Sequence, residues 1–578
     1  MKYEKHILDA FTRLGFSPRT GQVEAINKIL IAYLDNKVQN VILSAPTGTG
    51  KSLIGAVTSD ALTAILNPSV TNAVKSSIGL VSTNVLAKQY DATFSSLHST
   101  KKYIMLKGAS NYACSALSSQ DQEESAESCA WYDMVKSGGE FDSIVTQHCN
   151  SCEYLNTKKL KNSVRHLTTN YSYFFIDRMY TGKFEDRDLL VWDEAHLIND
   201  LFSEHNAIYF SQARLQATAK EIAELVRLTD LEIAKLISSV AKDCAKKDKI
   251  NEQNYESYLR ALLKIYDYAK TTGQTQAERA LRSGQMGQYT KLTRFVKKYE
   301  GLICKIDDYF NYGYDHIFEY KEDESAVSVK PIFIGGMFDA LQASPRNLFM
   351  SATVSNEFMT KTLKLNPAST EFIKLPPTFS PENKSIIFFN PLSLNFTSLQ
   401  NQTTIDSLCA NILKIVKKHT ADGERGIILT PSFKLQSSII SALKPVNKNV
   451  KIFEHMQGKK LEEVLALFKS YTGGPAVLVS PAMFEGIDLP GDLSRYQVFV
   501  KAPFPSLGDK RMKFILDHYP DLYEEITRMK IVQGAGRSVR SIDDHATTYI
   551  LDKNAQRLMM SPKNVWKDEF YMAVKSLL

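Results

Sequence analysis

The run Ala45-Pro46-Thr47-Gly48-Thr49-Gly50-Lys51-Ser52 places two glycines, a lysine and a hydroxyl in one short loop. A short β-branched apolar stretch, Asn40–Ser44, precedes it, and a helical pattern follows from Leu53 to about Leu66. In a strand–loop–helix of this kind, backbone N–H groups and a helix N-terminus converge on phosphate oxygens. Thr47, Gly48, Thr49 and Gly50 supply the backbone. Lys51 supplies a point charge for the β- and γ-phosphates, and Ser52 a hydroxyl for Mg²⁺. Ala45 stands where the general motif has its first glycine, and it fits unless that position requires a positive φ.

Such a loop needs acidic partners at the end of another buried strand. Asp188-Leu189-Leu190-Val191-Trp192-Asp193-Glu194-Ala195-His196 supplies them, with Leu189–Trp192 as the strand. Asp193 is suited to hold Mg²⁺ and Glu194 to orient and deprotonate a water. Far downstream, Gln533-Gly534-Ala535-Gly536-Arg537-Ser538-Val539-Arg540 follows a helical stretch, Tyr523–Val532. Arg537 and Arg540 are three apart and share a face if the helix continues. Alone, the pair reads as a solvated basic face. Beside a phosphate loop and an Asp-Glu-Ala-His box, it reads as phosphate recognition and transition-state charge stabilisation.

The elements that must position these groups alternate. Gly426–Thr430, Ala476–Ser480, Tyr496–Lys501 and Thr547–Leu551 read as buried strands, with helical patterns such as Leu461–Tyr471 between them. Repeated βα units predict a parallel, doubly wound sheet. This second sheet has no phosphate loop of its own. Two α/β domains are therefore expected, with nucleotide in the cleft between them. One carries Lys51 and Asp193, the other Arg537 and Arg540.

Apolar residues make up 44% and charged residues 23% of the 578 residues, which excludes a disordered or collagen-like chain. No apolar run approaches the ~18 residues needed to cross a bilayer. Met1-Lys2-Tyr3-Glu4-Lys5-His6 leads into no signal-peptide core, so a soluble cytoplasmic protein is expected. A net charge of +7 permits a polyanionic partner without requiring one.

The seven cysteines are an odd count, which argues against a secreted disulfide framework. Cys114, Cys129, Cys149 and Cys152 fall in one short stretch, and four thiolates fit either tetrahedral zinc or an iron–sulfur cluster. Cys244, Cys304 and Cys409 are scattered and read as small buried hydrophobes. An acidic run, Gln120–Glu127, is followed beyond Cys152 by Lys158, Lys159, Lys161, Arg165 and His166, with Tyr154, Tyr171 and Tyr173 nearby. That segment reads either as a basic aromatic strip for a single strand or as a solvated helix face. Residues 205–340 are mostly helical in pattern, over Ala219–Val240, Tyr255–Ala269 and Leu292–Phe310, with Gly284 and Gly287 marking a loop. Tyr289, Lys291, Arg294, Lys297, Lys298 and Tyr299 read as a helix exterior, or as a face for nucleic acid.

Read in order, these blocks resemble the Fe–S-containing XPD/DinG family of superfamily 2 helicases. Phe16, Arg19 and Gln22 resemble its adenine-side motif, and Ala45–Ser52 its motif I. Ser82-Thr83-Asn84 with Gln89 resembles motif Ia, Asp193–His196 motif II, and Ser351-Ala352-Thr353 motif III. Leu429–Phe433 resembles motif IV, Phe484–Gly491 motif V and Gln533–Arg540 motif VI. Lesser echoes are Leu106–Cys114, Leu167–Tyr171 and Ala502-Pro503-Phe504-Pro505. The likeness spans about residues 10–555.

The resemblance implies an α/β fold with two RecA-like P-loop NTPase-type motor domains, the first interrupted by an Fe–S domain and a helical Arch domain. The expected boundaries are 1–107, 157–204 and 336–370 for motor domain 1, 108–156 for the Fe–S domain, 205–335 for the Arch domain and 371–578 for motor domain 2. It implies ATP and Mg²⁺ held by Arg19, Gln22, Ala45, Thr47, Gly48, Thr49, Gly50, Lys51, Ser52, Asp193, Glu194 and Asp488. Lys51, Glu194, Gln533, Arg537 and Arg540 would be catalytic, and Thr83, His196, Ser351, Thr353 and Thr430 would couple the site to DNA. It also implies a [4Fe–4S] cluster on Cys114, Cys129, Cys149 and Cys152. The expected activity is 5′→3′ translocation of a monomer on single-stranded DNA, unwinding forked or tailed duplex in DNA repair. The rival reading is an ATP-switched nucleic-acid clamp or remodeller without processive unwinding. About 44 residues precede the phosphate loop, too few for an added nuclease domain.

Overall fold

The computed structural model describes all residues except 47, 68–75, 98–102, 114–124, 126–151, 182–183, 185, 314, 342–343, 378–379, 460, 482–488, 490, 537–538, 540–543, 568–571 and 574–578. Contacts group the chain into two compact units. One comprises Met1–Ile42, Ser52–Met350 and Met359–Glu371, and the other Leu43–Lys51, Ser351–Phe358 and Phe372–Leu578.

The first ten strands in chain order are β1 (Asn40–Ser44), β2 (Ser77–Val81), β3 (Tyr103–Leu106), β4 (His166–Asn170), β5 (Leu189–Asp193), β6 (Ile208–Ser211), β7 (His316–Lys321), β8 (Ala326–Pro331), β9 (Asn347–Ser351) and β10 (Thr370–Lys374). Seven of them form one sheet in the order β10-β1-β9-β5-β2-β4-β3. Strands β2, β3, β4, β5 and β9 run parallel. Each of β1, β5 and β9 is buried at all of its positions, as a strand covered on both faces must be. Trp192 of β5 is fully buried and stacks on Tyr171 and Phe349, and its indole N–H donates to Asn347 at 3.1 Å.

A second seven-stranded sheet holds β11 (Lys384–Leu392), β12 (Arg425–Leu429), β13 (Lys451–Glu454), β14 (Ala476–Ser480), β15 (Tyr496–Phe499), β16 (Ala546–Asp552) and β17 (Met572–Ala573). Its order is β13-β14-β12-β15-β16-β11-β17, and its pairs are parallel. The four expected strands of this region are present, β14 with its expected bounds and the other three with ends displaced by one or two residues. Two parallel α/β sheets are thus the frame of the molecule.

The insertion differs from its expected pattern in three places. The helical run Ala219–Val240 is two helices, Gln212–Leu225 and Leu231–Cys244, because Arg227 turns left-handed at φ 59° and Asp230 caps the second helix through Glu232 and Ile233 N–H. Gly287 lies inside the helix Met286–Tyr312, and only Gly284, at φ 69°, marks the turn before it. The insertion also contains an antiparallel sheet, β6-β8-β7. Lys291, Arg294, Lys297 and Lys298 lie on the outside of that helix, but Tyr299 is buried in the insertion's core.

The basic aromatic segment after Cys152 is only partly at the surface: Lys159 is exposed, and Lys158, Arg165 and Tyr173 are half-buried. Lys161 is buried against Asp177, and Tyr154, His166 and Tyr171 are buried. Arg165 pairs with Asp60 at 2.9 Å, and Arg13 reaches the same carboxylate at 2.7 Å. Burial opposes the charge on Asp60, but His166, Arg165 and Arg13 outweigh it and hold the carboxyl below its usual range. Asp60→Asn is expected to lower stability by about 2–3 kcal/mol, seen as a lower urea midpoint, because the cations keep their place and lose their counter-charge.

Among the described residues no helix is long and apolar enough to cross a membrane. Cys244 and Cys409 are buried, and burial pushes their thiols up to about 12 and about 11, while Cys304 is half-buried.

Candidate functional site

The glycine loop has the backbone its residues allow. Gly48 and Gly50 sit at φ 88° and 73°, conformations that a side chain would strain. Ala45 is not among the positive-φ residues, is fully buried, and donates its N–H to the Ser351 carbonyl at 2.9 Å. Alanine is therefore tolerated in place of the first glycine. Thr49 Oγ1 donates to the Pro46 carbonyl at 2.9 Å and closes the turn. Thr47 lies outside the described residues. Lys51 opens the helix Lys51–Leu66, whose first turn holds no acidic residue to neutralise the dipole. Its Nζ rests 3.5 Å from the Ala45 carbonyl and is half-buried. Sequence reasoning missed Gly55: a Cβ there would meet Val191 Cγ1 at 2.8 Å, so only glycine lets this helix lie so close to β5. A glycine inside a helical pattern was the available signal.

At the end of β5, Asp193 is buried and Glu194 is half-buried. Glu194 is left-handed, at φ 52° and ψ 47°, an uncommon conformation for a residue with a Cβ. This turn lets the Glu194 N–H donate to Asp193 Oδ1 at 3.0 Å. His196 Nδ1 lies 3.4 Å from Glu194 Oε2. Two tyrosines complete the setting: Tyr90 donates to Asp193 Oδ2 at 2.6 Å, and Tyr171 to the Asp193 carbonyl at 2.7 Å. Sequence pattern does not mark Tyr90, because a lone aromatic on an apolar face reads as core, and it marks Tyr171 only as part of a candidate strip for a single strand, not as a partner of Asp193. Ser52 and Asp193 offer hard oxygen donors, the chemistry that suits Mg²⁺.

A second group lies with the second sheet's unit. Ser351 Oγ accepts the Thr353 N–H at 3.1 Å, and Gln533 Nε2 donates to Thr353 Oγ1 at 2.7 Å. Ser355 donates to the buried carboxylate of Glu525, which burial pushes above its usual range. Gln533 and Glu525 share the helix Pro520–Ala535. That helix ends at Ala535. Both arginines, and Asp488, lie outside the described residues. Thr430 is buried beyond the end of β12, with its N–H on the Ser480 carbonyl at 3.0 Å.

The adenine-side residues form a turn: Gln22 is buried, and its Oε1 accepts the N–H of exposed Arg19 at 2.9 Å. Thr83 caps the helix Asn84–Phe94 by accepting the Leu86 N–H at 3.2 Å. His419, Asp422 and Glu424 bring ligand-type atoms within 4.8 Å of one another. Both nitrogens of His419 are nevertheless engaged, with Glu424 at 2.5 Å and Tyr549 at 3.0 Å, which makes the group a structural tie.

Of the four clustered cysteines, Cys114, Cys129 and Cys149 lie outside the described residues. Cys152 is a half-buried free thiol that precedes the helix Glu153–Leu160. Tyr112 and Tyr154 flank the cysteine stretch, and their rings pack 5.3 Å apart.

Two family profiles match the chain: the type III restriction enzyme res subunit over residues 15–224 and the helicase C-terminal domain over residues 412–565. The ATP-dependent DNA helicase YoaA of Escherichia coli is 21% identical, over 95% of this chain and 93% of its own length. The ATP-dependent DNA helicase DinG of Photobacterium profundum is 23% identical over 40% of this chain and 35% of its own length. A solved XPD helicase superposes with a TM-score of 0.61 at 16% identity, covering 97% of this chain and 100% of the other. Xpd4 of S. tokodaii gives 0.55 at 16% identity, covering 96% and 100%. These superpositions establish the fold as two RecA-like domains.

Proposed function

We propose that the chain is an XPD/DinG-like superfamily 2 helicase that uses ATP to move 5′ to 3′ along single-stranded DNA and to unwind forked or tailed duplex. The observation that carries this reading is the pairing of two built elements. One is a loop held open by Gly48 and Gly50 that delivers Lys51 and Ser52 to a helix N-terminus. The other is a left-handed turn that presents Glu194 beside Asp193.

In this reading the loop N–H groups and Lys51 hold the phosphates, with Arg19 and Gln22 on the adenine side. Ser52 and Asp193 would hold Mg²⁺, which supplies charge neutralisation when bound. Glu194 orients and deprotonates the attacking water. Gln533, Arg537 and Arg540 stabilise charge as the bond to the leaving phosphate breaks, and Asp488 belongs to the same site. The contacts Gln533–Thr353 and Glu194–His196 give motifs III and II direct contact with catalytic groups, a physical route for coupling. DNA is gripped by phosphate contacts and stacking, so binding weakens with salt. The Asp-Glu-Ala-His box, a [4Fe–4S] cluster on the four cysteines and a role in DNA repair belong to this proposal.

Strand separation on two partial duplexes, one with a 5′ tail and one with a 3′ tail, tests it. ATP-dependent unwinding of the 5′-tailed substrate alone is expected. Unwinding from the 3′ tail would keep the motor and reject the polarity. ATP turnover stimulated by single strands, with neither duplex opened, would favour the clamp.

A further inference from the structure

We propose that Tyr90 is a positioning residue for the Asp193 carboxylate, fixing its orientation toward a divalent cation and tying it to the helix that Thr83 caps. This inference rests on the proposed nucleotide site.

Tyr90 is 5% exposed, and its hydroxyl donates to Asp193 Oδ2 at 2.6 Å. The same hydroxyl is within side-chain hydrogen-bonding reach of Ser52, the other oxygen expected to meet the cation. On the opposite side, the Glu194 N–H occupies Asp193 Oδ1 at 3.0 Å. The carboxylate is thus held through both oxygens, which stops rotation about its Cβ–Cγ bond. Each carboxylate oxygen retains acceptor capacity for a cation. The arrangement matches the outer shell of a metal site, in which a neighbouring donor orients the ligand.

The helix that carries Tyr90 is itself anchored. Asn84, its first residue, donates to Asn111 at 3.0 Å and accepts from Asn170 at 2.9 Å. Asn170 caps the short helix Tyr171–Ile176, whose Tyr171 grips the Asp193 carbonyl. Displacement of the Thr83 end is therefore transmitted to Asp193 through Tyr90.

The test is equilibrium binding of a fluorescent ADP analogue to the full chain, titrated with Mg²⁺. In Tyr90→Phe the half-saturating Mg²⁺ concentration is expected to rise about tenfold or more, with binding in EDTA unchanged. Tyr171→Phe, which loses a bond to the backbone and not to the carboxylate, is expected to shift it far less. Tyr90→Met, a second variant without the hydroxyl, is expected to repeat the Phe result and serves if the Phe variant does not fold. An identical Mg²⁺ dependence in wild type and both Tyr90 variants would overturn the proposal while leaving the nucleotide site standing. A wild-type chain that binds no nucleotide with or without Mg²⁺ would overturn the site reading itself.

Discussion

Lys51→Ala is expected to reduce ATP turnover by ~10²–10³-fold or more while single-strand binding persists. The size follows from what the ammonium does. It is the one side-chain cation in the loop Ala45–Ser52, at the head of a helix whose first turn contains no acid. In the ground state it makes only a long 3.5 Å contact with the Ala45 carbonyl, so its removal leaves the loop turn, closed by Thr49 and Pro46, in place. Folding should be unaffected, and the loss should appear in kcat as charge develops on the transferring phosphoryl group. In the proposed mechanism Lys51 holds phosphate and not DNA, so fluorescence anisotropy with a labelled single strand should change little. Retained turnover in this variant would reject the phosphate-loop assignment.

What the sequence made legible was local. β1 and the loop after it were readable because strand, glycines and Lys-Ser are contiguous, and the structure places β1 at the expected Asn40–Ser44. The strands of the second sheet were readable for the same reason, since each is a short buried run between helical patterns. The break at 226–230 was harder. Apolar spacing of three and four continues across it, and only the Asp230 cap and the left-handed Arg227 interrupt the backbone. An Asp ahead of an apolar run was a usable cap signal. The pairing of β7 with β8 was missed because β7 is mostly half-buried and follows directly on a long helix.

The burial of Lys161, Arg165 and His166 was not readable at all. It depends on carboxylates at Asp177 and Asp60, the latter about a hundred residues away in the chain. Charge in sequence reads as solvent exposure, and only the fold supplies the partner. Tyr90, and the bond that Tyr171 makes to Asp193, were invisible for a related reason. An aromatic residue at helical spacing looks like packing until a polar atom, here on Asp193, is found at its hydroxyl.

Cys149→Ser is expected to abolish a brown chromophore absorbing broadly near ~400 nm in anaerobically purified protein, together with its bound iron and sulfide. Four thiolates are the donor set of either an iron–sulfur cluster or zinc, and the proposed reading takes the cluster. The described geometry shows why such a group would matter mechanically. Tyr112 and Tyr154 pin both ends of the cysteine stretch at one place, and Ala113 bridges to Ser125 within it. A group bound by four residues of that stretch would convert binding energy into folding energy of the segment. Loss of one ligand should therefore loosen this stretch first. Nucleotide binding at Lys51 and Ser52 should survive, because the sheet and loop that build that site do not pass through the cysteine stretch. Strand separation should fall more than single-strand-stimulated turnover. Colourless wild-type protein that carries zinc would replace the cluster with a structural zinc site. Equal loss of turnover and unwinding would mean that the cysteine stretch supports the motor's own fold and not only its hold on the strand.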